Sequence, residues 1–355
     1  MAKAIHQFVA GFGRGDAVSN EALVLRRILR SWGCESEIYS EQKRILPELR
    51  GDVRDIKTFK AGPDGAVILH LSTGSVVNDF FASLPCRKIV RYHNVTPPEY
   101  FRGIAEQAAH VCARGREQVK RLADKTDLTL AVSAFNGADL TAQGYRDVRT
   151  LPLLLDLPEL REEPSRRVMK YLQDGLTNIL FVGRCAPNKR IEDCLAAFYY
   201  FQKYVEPSSR FIHVGSFAGM EAYHAMLLTM TRERDILRVE MPGAVSQHEL
   251  NAYYKSSHVF LCMSEHEGFC IPLIESMAHG LPILAHDAAA VPETLDGAGV
   301  LFREKRFDLV AEMMGRLTKD QPFRNAVIQG QRERLKRYEK RDLAAELRQH
   351  LAPLL

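Results

Sequence analysis

Two glutamates with E-x7-E spacing enclose the segment Glu267-Gly-Phe-Cys-Ile-Pro-Leu-Ile-Glu275. Pro272 suits the first position of a helix, because its missing N–H would have no partner there. Glu275 then falls within about one turn of the helix start, and Glu267 lies on the approaching loop. The free amides and positive dipole of a helix start suit an anionic or oxygen-rich ligand. Glu275 could accept hydrogen bonds from sugar or ribose hydroxyls, or serve only the helix dipole.

Two cations share a second loop, Gly183-Arg-Cys-Ala-Pro-Asn-Lys189, which follows a predicted strand from Asn178 to Gly183. Arg184 offers a planar fork that matches phosphate oxygens, and Lys189 offers a mobile point charge. Together they could hold a diphosphate and stabilise its charge as it leaves. The alternative is a pair of exposed surface charges.

A third candidate is the glycine-rich loop Gly11-Phe-Gly-Arg-Gly-Asp16, between a predicted strand and a predicted helix. Gly13 and Gly15 would allow close backbone approach to a ligand. The loop lacks the full G-x-G-x-x-G pattern and the P-loop ending, so a plain tight turn is the competing interpretation.

His93 and Asn94 form a fourth candidate, after the predicted strand from Lys88 to Tyr92 and before Pro97-Pro98. Both side chains could bond sugar hydroxyls. A lone histidine is more often structural, and that alternative stays open.

The elements that carry these loops alternate short apolar runs with longer amphipathic stretches, which predicts parallel sheets covered by helices. The alternation weakens between about Leu151 and Gly175 and restarts at Asn178. We therefore expect two α/β domains. Ligands of open α/β sheets bind beyond the carboxyl ends of the strands, which is where the four loops fall.

The amino-acid composition limits the classes of protein to which this chain can belong. The 355 residues are 46% hydrophobic and 26% charged, with a net charge of +4. That charge is too mild to predict nucleic-acid binding, but it suits small anionic molecules or weak contact with an anionic membrane surface. No two of the seven cysteines have C-x2-C spacing, so we expect reduced thiols in the core and no zinc site. Without a signal-peptide pattern or a long apolar run, the sequence predicts a cytoplasmic protein whose membrane contact, if any, is peripheral.

Taken together, the four motifs resemble the large family 4 of retaining glycosyltransferases, in particular bacterial surface-polysaccharide enzymes. The resemblance is strongest from Asn178 to Phe302. It implies an α/β, GT-B fold, in which two Rossmann-like parallel-sheet domains face each other across a cleft. The acceptor-side domain would span residues 1–158 and the nucleotide-sugar domain residues 159–337. A last helix, at about 338–355, would pack back on the first domain.

The resemblance also implies residue roles. Arg184 and Lys189 would bind the donor diphosphate, Glu275 the ribose, and Glu267 the transferred sugar, which His93 would face from the other domain. Backbone contacts to the donor or acceptor would come from Gly13, Gly15, Gly243, Val245, Gly268, Phe269, Cys270 and Ile271. Where the family commonly has Pro-Asn-Gly-Val-Asp, this chain has Pro152-Leu-Leu-Leu-Asp156, so any contact of that Asn-Gly is missing.

The implied activity is transfer of a hexosyl group, with retention, from a UDP- or GDP-sugar to a glycan, lipid-linked or other hydroxyl acceptor. The resemblance implies neither a metal nor a cofactor, and no D-x-D metal clamp is recognised. Two rivals stay open: a sugar phosphorylase or nucleotide-sugar epimerase on the same fold, and a non-catalytic nucleotide-sugar-binding subunit.

Overall fold

The structure is a computed structural model that describes residues 4–13, 15–62, 65–155, 157, 160 and 162–352. Contacts divide the chain into two units. The first comprises Met1–Glu99, Gln107–Asp156 and Arg341–Leu355, and the second comprises Tyr100–Glu106 and Leu157–Lys340. The predicted boundary between residues 158 and 159 lies outside the described residues.

The strands, in chain order, are β1 Ile5–Val9, β2 Ile38–Ser40, β3 Val53–Asp55, β4 Ala66–Leu71, β5 Arg87–Tyr92, β6 Leu128–Ala131, β7 Val148–Thr150, β8 Thr177–Val182, β9 Ser209–Val214, β10 Val239–Gly243, β11 Val259–Cys262, β12 Ile283–His286 and β13 Val300–Phe302.

The α-helices are α1 Ala17–Ser31, α2 Val76–Ser83, α3 Glu106–Leu122, α4 Ala134–Ala142, α5 Arg166–Leu172, α6 Ile191–Tyr200, α7 Glu221–Glu233, α8 Gln247–Lys255, α9 Ile271–Ala278, α10 Val291–Leu295, α11 Phe307–Lys319, α12 Gln321–Glu339 and α13 Leu343–Leu351.

The first unit is built on a sheet whose described strands run in the order β3-β2-β1-β4-β5-β6-β7. All the pairings are parallel. Asp16 caps α1 by accepting from the Ser19 amide at 2.9 Å. The apolar side of this helix, with Leu25 and Ile28, packs on Ile5 and other side chains from the sheet. Leu347 and Leu351 of α13 join the same cluster, so this helix packs on the first sheet.

The second unit has a parallel sheet in the order β10-β9-β8-β11-β12-β13 among its described strands. β8 and β11, whose loops carry the predicted site, lie side by side at its centre. A capping box opens α8: the Ser246 hydroxyl accepts from the Glu249 amide, and the Glu249 carboxylate accepts from the Ser246 amide. Two Rossmann-like parallel sheets covered by helices confirm the predicted fold class.

The expectations about membrane-spanning segments and cysteines concern the whole chain. No helix in the described part of the chain has the length and apolar character needed to cross a bilayer. None of the seven cysteines, all of which lie in the described part of the chain, forms a disulfide. Four of them are buried, whereas Cys34, Cys86 and Cys112 are half-buried. The sequence expectation of core thiols therefore holds fully only for the cysteines of the second unit.

Candidate functional site

The predicted donor residues of the second unit lie at one edge of its sheet. Because the strands are parallel, their carboxyl ends meet at this edge. The loop after β8 carries Arg184 and Lys189, the loop after β11 carries Glu267, and the end of β10 carries Gly243. We call this set of loops the donor edge. The sequence prediction that the motifs follow strands is thus met in the fold.

Lys189 and Glu267 form an ion pair at the donor edge. The Lys189 ammonium lies 2.7 Å from Glu267 Oε1 and 2.6 Å from Oε2. Asn188 joins the two loops, because its carbonyl accepts from the Glu265 amide at 3.0 Å and its side-chain amide donates to the His266 carbonyl at 3.0 Å. Burial disfavours the charge of Lys189, but the Glu267 carboxylate, together with Cys270 and Cys262, raises the pKa of Lys189.

Arg184 is exposed and points to the other side of β8. Its guanidinium donates to the Ala218 carbonyl at 3.2 Å, on the loop after β9. Two glycines let these loops meet: a Cβ at Gly215 would lie 1.9 Å from the Gly183 carbonyl oxygen, and Gly215 has φ 157°. Arg184 and Lys189 therefore flank the end of β8 and contact different neighbouring loops, so they do not form one preassembled pair.

Glu275 lies in α9, and Pro272 is the second residue of this helix, one position later than predicted. The Tyr254 hydroxyl of α8 donates to Glu275 Oε2 at 2.5 Å. The Tyr254 ring stacks on His279, with ring centroids 5.2 Å apart. Burial raises the pKa of Glu275 above its usual range, and the Tyr254 hydrogen bond offsets part of this shift. Sequence reasoning missed Tyr254, which has no motif around it.

The segment from Gly268 to Ile271 connects Glu267 to the start of α9. Cys270 caps the helix in a left-handed conformation, with φ 74° and ψ 69°. The Phe269 carbonyl accepts a hydrogen bond from the Thr294 hydroxyl, and the Phe269 ring packs edge-on against Tyr338. The segment is therefore held on several sides, with the amides of the first helical turn at its end.

Gly243 and Val245 lie at the far side of the donor edge. The Gly243 carbonyl accepts from the Gly215 amide at 2.9 Å, so the ends of β9 and β10 are joined. Gly243 has φ 79°, and a Cβ there would lie 3.4 Å from the Phe217 ring. Val245 is half-buried just before α8. The role of this corner in binding a base stays a prediction.

A second ionic cluster lies beside the predicted one. Arg190 Nε lies 3.0 Å from Asp193 and 3.3 Å from Glu265. Lys305 bridges the same two carboxylates at 2.8 and 2.7 Å. These partners hold Arg190 away from the Lys189–Glu267 pair, although it follows Lys189 directly in sequence. Lys305 gave no sequence signal, because it comes from a distant loop after β13.

In the first unit, Gly13 lines a cavity of about 650 Å³. The Gly13 amide donates to the Ser19 hydroxyl at 3.2 Å. The cavity lies beyond the ends of β1 and β4, and three basic residues also line it, Lys43, Arg44 and Arg50. Gly15, with φ 70°, is exposed and is not among the lining residues. The structure thus brings Gly13, but not Gly15, to the cavity.

His93 follows β5, and its side chain is only 6% exposed. Its Nε2 lies 3.0 Å from His70 Nδ1 and 3.3 Å from Glu21 Oε2. Arg91 donates to both Glu21 oxygens, at 3.1 and 2.6 Å. We call Glu21, His70, Arg91 and His93 the buried polar cluster.

The pKa shifts in this cluster follow from burial and charge pairing. Burial lowers the pKa of His93 to about 4 and that of His70 to about 3. Burial opposes ionisation of Glu21, but the charge and hydrogen bonds of Arg91, together with His93 and His70, lower the pKa of Glu21 to about 2. Both histidines are therefore neutral at neutral pH, beside an ionised carboxylate.

Two groups of side chains in the described part of the chain have donor atoms close enough to hold a metal ion: Glu21 with His70 and His93, and Cys262 with Glu267 and Cys270. Each carboxylate already has a cation on both oxygens, Arg91 in the first group and Lys189 in the second. A metal ion would have to compete with these ion pairs. Independence from metals stays a prediction.

Solved structures share this fold over the whole chain. The HepE protein of Anabaena, crystallised with UDP and glucose, has a TM-score of 0.75 at 14% identity and covers 99% of both chains. Sucrose-phosphate synthase from Thermosynechococcus elongatus also has a TM-score of 0.75, at 17% identity and with 99% coverage of both chains. The chain therefore has the fold of the GT-B glycosyltransferases.

Sequence comparison shows which class of enzymes this chain resembles. Residues 177–320 match the family "Glycosyl transferases group 1", and this range contains the donor edge. A GDP-mannose-dependent alpha-mannosyltransferase of Mycobacterium tuberculosis is 33% identical over 180 residues, which are 47% of this chain and 40% of that protein. The O-antigen chain mannosyltransferase B of Escherichia coli is 23% identical over 252 residues, 67% of this chain and 63% of that protein.

These matches confirm the resemblance to glycosyltransferases, including enzymes of bacterial polysaccharide synthesis. The chain spans less than half of the length of the mycobacterial mannosyltransferases that it matches.

Proposed function

We propose that this protein is a retaining glycosyltransferase that transfers a hexose from a nucleotide-diphosphate sugar to a hydroxyl acceptor without a metal ion. The observation that carries the proposal is the donor edge. There, Arg184 and Lys189 flank the end of one strand, and Glu267 and Glu275 flank the start of α9. Cations suit a diphosphate, and carboxylates suit sugar hydroxyls.

Arg184 and Lys189 would bind the diphosphate, and negative charge would grow on its terminal phosphate as the sugar leaves. Contacts that strengthen with this charge lower the barrier, whereas equal binding of both states would not. Lys189 can move from Glu267 toward the phosphate, because an ammonium on a flexible stem is not bound to one geometry. Glu267 would then be free to accept from a sugar hydroxyl.

Glu275 would accept hydrogen bonds from the ribose hydroxyls, with Tyr254 fixing its carboxylate. The amides of the segment Gly268–Ile271 and the start of α9 would face the oxygens of the sugar and phosphates. Gly243 and Val245 would line the base, and His93 would meet the transferred sugar.

Transfer would follow a front-face course. The bond between the anomeric carbon and the diphosphate oxygen breaks, and the bond from the acceptor oxygen to that carbon forms on the same face. The acceptor proton passes to the departing diphosphate, so atoms and charge balance without a covalent enzyme intermediate. The cavity with Gly13 is our candidate for the acceptor, a glycan or a lipid-linked sugar. We place the enzyme in the cytoplasm, with at most a peripheral membrane contact.

A donor screen tests this proposal. Purified protein is incubated with GDP-mannose, suggested by the named activity of the mycobacterial relative, and with UDP-glucose and related donors, and released GDP or UDP is measured. We expect slow release with one donor and no dependence on inorganic phosphate. Arg184→Ala should slow release by about 10²–10³-fold, whereas Arg167→Ala, on an exposed surface pair with Glu249, should not change it. Phosphate-dependent release, epimerised donor, or tight donor binding without turnover would point to the rival functions.

A further inference from the structure

A chain of hydrogen bonds runs through the first unit from the main chain of α1 to His93. Gln7 Nε2 lies 3.0 Å from the Ala22 carbonyl oxygen, and Gln7 Oε1 lies 2.9 Å from His70 Nε2. His70 Nδ1 in turn lies 3.0 Å from His93 Nε2. Gln7 and His70 are fully buried. We call the side chains of Gln7, His70 and His93 the relay.

The orientation of Gln7 is set by the main chain. A carbonyl oxygen can only accept, so the group facing Ala22 must be the amide NH₂ of Gln7. Its oxygen is therefore the atom that faces His70. A flipped amide would put two oxygens against each other at 3.0 Å in the protein interior, which is strongly unfavourable.

The protonation of His70 follows from this orientation. Gln7 Oε1 accepts, so His70 Nε2 must carry a hydrogen and donate it. His70 is neutral, because burial lowers its pKa to about 3. A neutral imidazole with a hydrogen on Nε2 has an unprotonated Nδ1, which can only accept. His93 Nε2 must therefore be the donor across the 3.0 Å contact.

The same reasoning then fixes His93. Its Nε2 hydrogen is shared between His70 Nδ1 and Glu21 Oε2, which lies 3.3 Å away and is an anion held by Arg91. Neutral His93 consequently has a lone pair on Nδ1. Among the described residues, no donor is seen within hydrogen-bond distance of this nitrogen.

We propose that Gln7 and His70 are positioning residues that hold His93 in the tautomer with a hydrogen on Nε2, so that Nδ1 accepts a hydrogen bond from a hydroxyl of the transferred sugar. This deepens the proposed function and rests on it only in the identity of the ligand. The relay explains why two polar side chains interrupt the apolar interiors of β1 and β4. It also makes His93 selective, because an acceptor at this point requires a hydroxyl and does not bind a bare ether oxygen or a methyl group.

The first test is spectroscopic and needs no substrate. In protein labelled with ¹⁵N-histidine, the two ring nitrogens of His93 are assigned by NMR at neutral pH. We expect His93 Nε2 to carry the hydrogen and Nδ1 to show the shift of an unprotonated nitrogen. A hydrogen on Nδ1 of His93 in the wild-type protein would overturn the proposal, whatever the enzyme does.

The second test compares two replacements of His70. His70→Gln can accept from His93 through its oxygen and donate to Gln7 through its nitrogen, so the His93 tautomer should persist. His70→Leu has comparable bulk but neither function, so His93 should populate both tautomers. With the donor from the screen, we expect turnover to fall about 10–100-fold in His70→Leu and to return largely in His70→Gln, with nucleotide affinity unchanged in both.

The outcomes separate the two proposals. Equal turnover in wild type and His70→Leu, or equal loss in both variants, would overturn the role of His70. If His70→Leu does not fold, the wild-type spectrum and the His70→Gln variant still decide. If wild type turns over no nucleotide sugar, the proposed function fails, while the tautomer is still settled by the spectrum.

Discussion

Each unit places a carboxylate against a cation near the carboxyl edge of its sheet, but the two pairs are built differently. In the first unit, Glu21 and Arg91 are each 1% exposed, and the planar guanidinium contacts both carboxylate oxygens. In the second, Glu267 is 9% exposed and Lys189 is 20% exposed. An arginine fork fixes direction, whereas a lysine ammonium can rotate and change partners.

This difference distinguishes a structural ion pair, Glu21–Arg91, from a pair that can change partners on binding, Lys189–Glu267. Glu21 also accepts from the Leu154 amide at 2.9 Å, and Arg91 donates to the Leu151 carbonyl at 2.5 Å, so the pair joins α1 and β5 to the segment after β7. Nothing in this arrangement can move without leaving a buried charge unpaired. Among the described residues, the side chains of Lys189 and Glu267 are hydrogen-bonded only to each other, so a phosphate could replace Glu267 as the partner of Lys189.

The largest effect is expected where the buried pair is broken. Arg91→Met leaves the Glu21 anion without its cation, and breaking a buried pair in this way costs roughly 3–5 kcal/mol of unfolding free energy. Denaturant unfolding at neutral pH measures this loss. Arg167→Met, which breaks the exposed pair with Glu249, is the matched control and should change little. Equal losses of unfolding free energy in the two variants would show that the buried pair is no more important for stability than an exposed one.

The difference in stability between wild type and Arg91→Met should also depend on pH. The pKa of Glu21 is depressed to about 2 in the folded protein, so its stabilising effect is fully present above its ordinary value of 4.5. That stability is lost as the pH falls from this value toward 2. The gap between wild type and Arg91→Met should therefore be widest near neutral pH and shrink in this acid window. A gap that does not change with pH would contradict the ion-pair explanation.

The next effect should be on rate. Lys189→Met keeps the stem but removes the charge, and loss of one charge-assisted donor from such a site costs about 10²–10³ in turnover. Nucleoside diphosphate release with the donor from the screen measures it. The double variant Lys189→Met/Glu267→Gln should recover stability lost in the single variant, because no carboxylate stays unpaired, but it should not recover turnover. Recovery of both stability and turnover would mean that the Lys189–Glu267 pair is purely structural, like Glu21–Arg91.

Sequence reasoning found the long, periodic and motif-bearing parts of the molecule. The buried strands β1, β5 and β8 and the loops after them were predicted, because continuous apolar runs and helix-start signals are local. The three-residue strands β2, β3 and β7 were missed, since three residues give no period to detect. The roles assigned to the site residues stay predictions.

Partners distant in sequence could not be predicted. Lys189 and Glu267 were assigned to different motifs, and only the parallel pairing of β8 with β11 brings them together. Glu21, which neutralises Arg91, had no motif at all. Gln7 and His70 left a usable signal, because a polar side chain inside an apolar strand must find a partner. His93 was predicted without a partner, and the structure shows that its partners are His70 and Glu21.

A smaller effect is expected at Glu275, where function and stability oppose each other. Burial raises its pKa, so the protonated form is favoured by folding. The linked stability is present below the ordinary pKa of 4.5 and is lost as the pH rises through the higher folded value. Glu275→Gln should therefore raise the unfolding free energy at neutral pH, by about 0.5–2 kcal/mol, while weakening nucleotide binding. Glu312→Gln, on the exposed surface of α11, makes the same change in net charge and serves as the control. Lower stability of Glu275→Gln at neutral pH would contradict this prediction.

The smallest effect concerns the backbone that carries Glu267 into α9. Cys270 has φ 74°, where an ordinary L-residue costs roughly 1–2 kcal/mol more than in a right-handed conformation. Glycine avoids that cost but loses more entropy on folding, by about 0.5–1 kcal/mol. Cys270→Gly should therefore be more stable than Cys270→Ala by about 0.5–1 kcal/mol, since both lack the thiol. At the exposed helical position Ala326 the order should reverse, because Ala326→Gly should cost about 1 kcal/mol. Thermal unfolding of the three variants decides the matter, and a Cys270→Ala variant more stable than Cys270→Gly would show that this turn carries no left-handed strain.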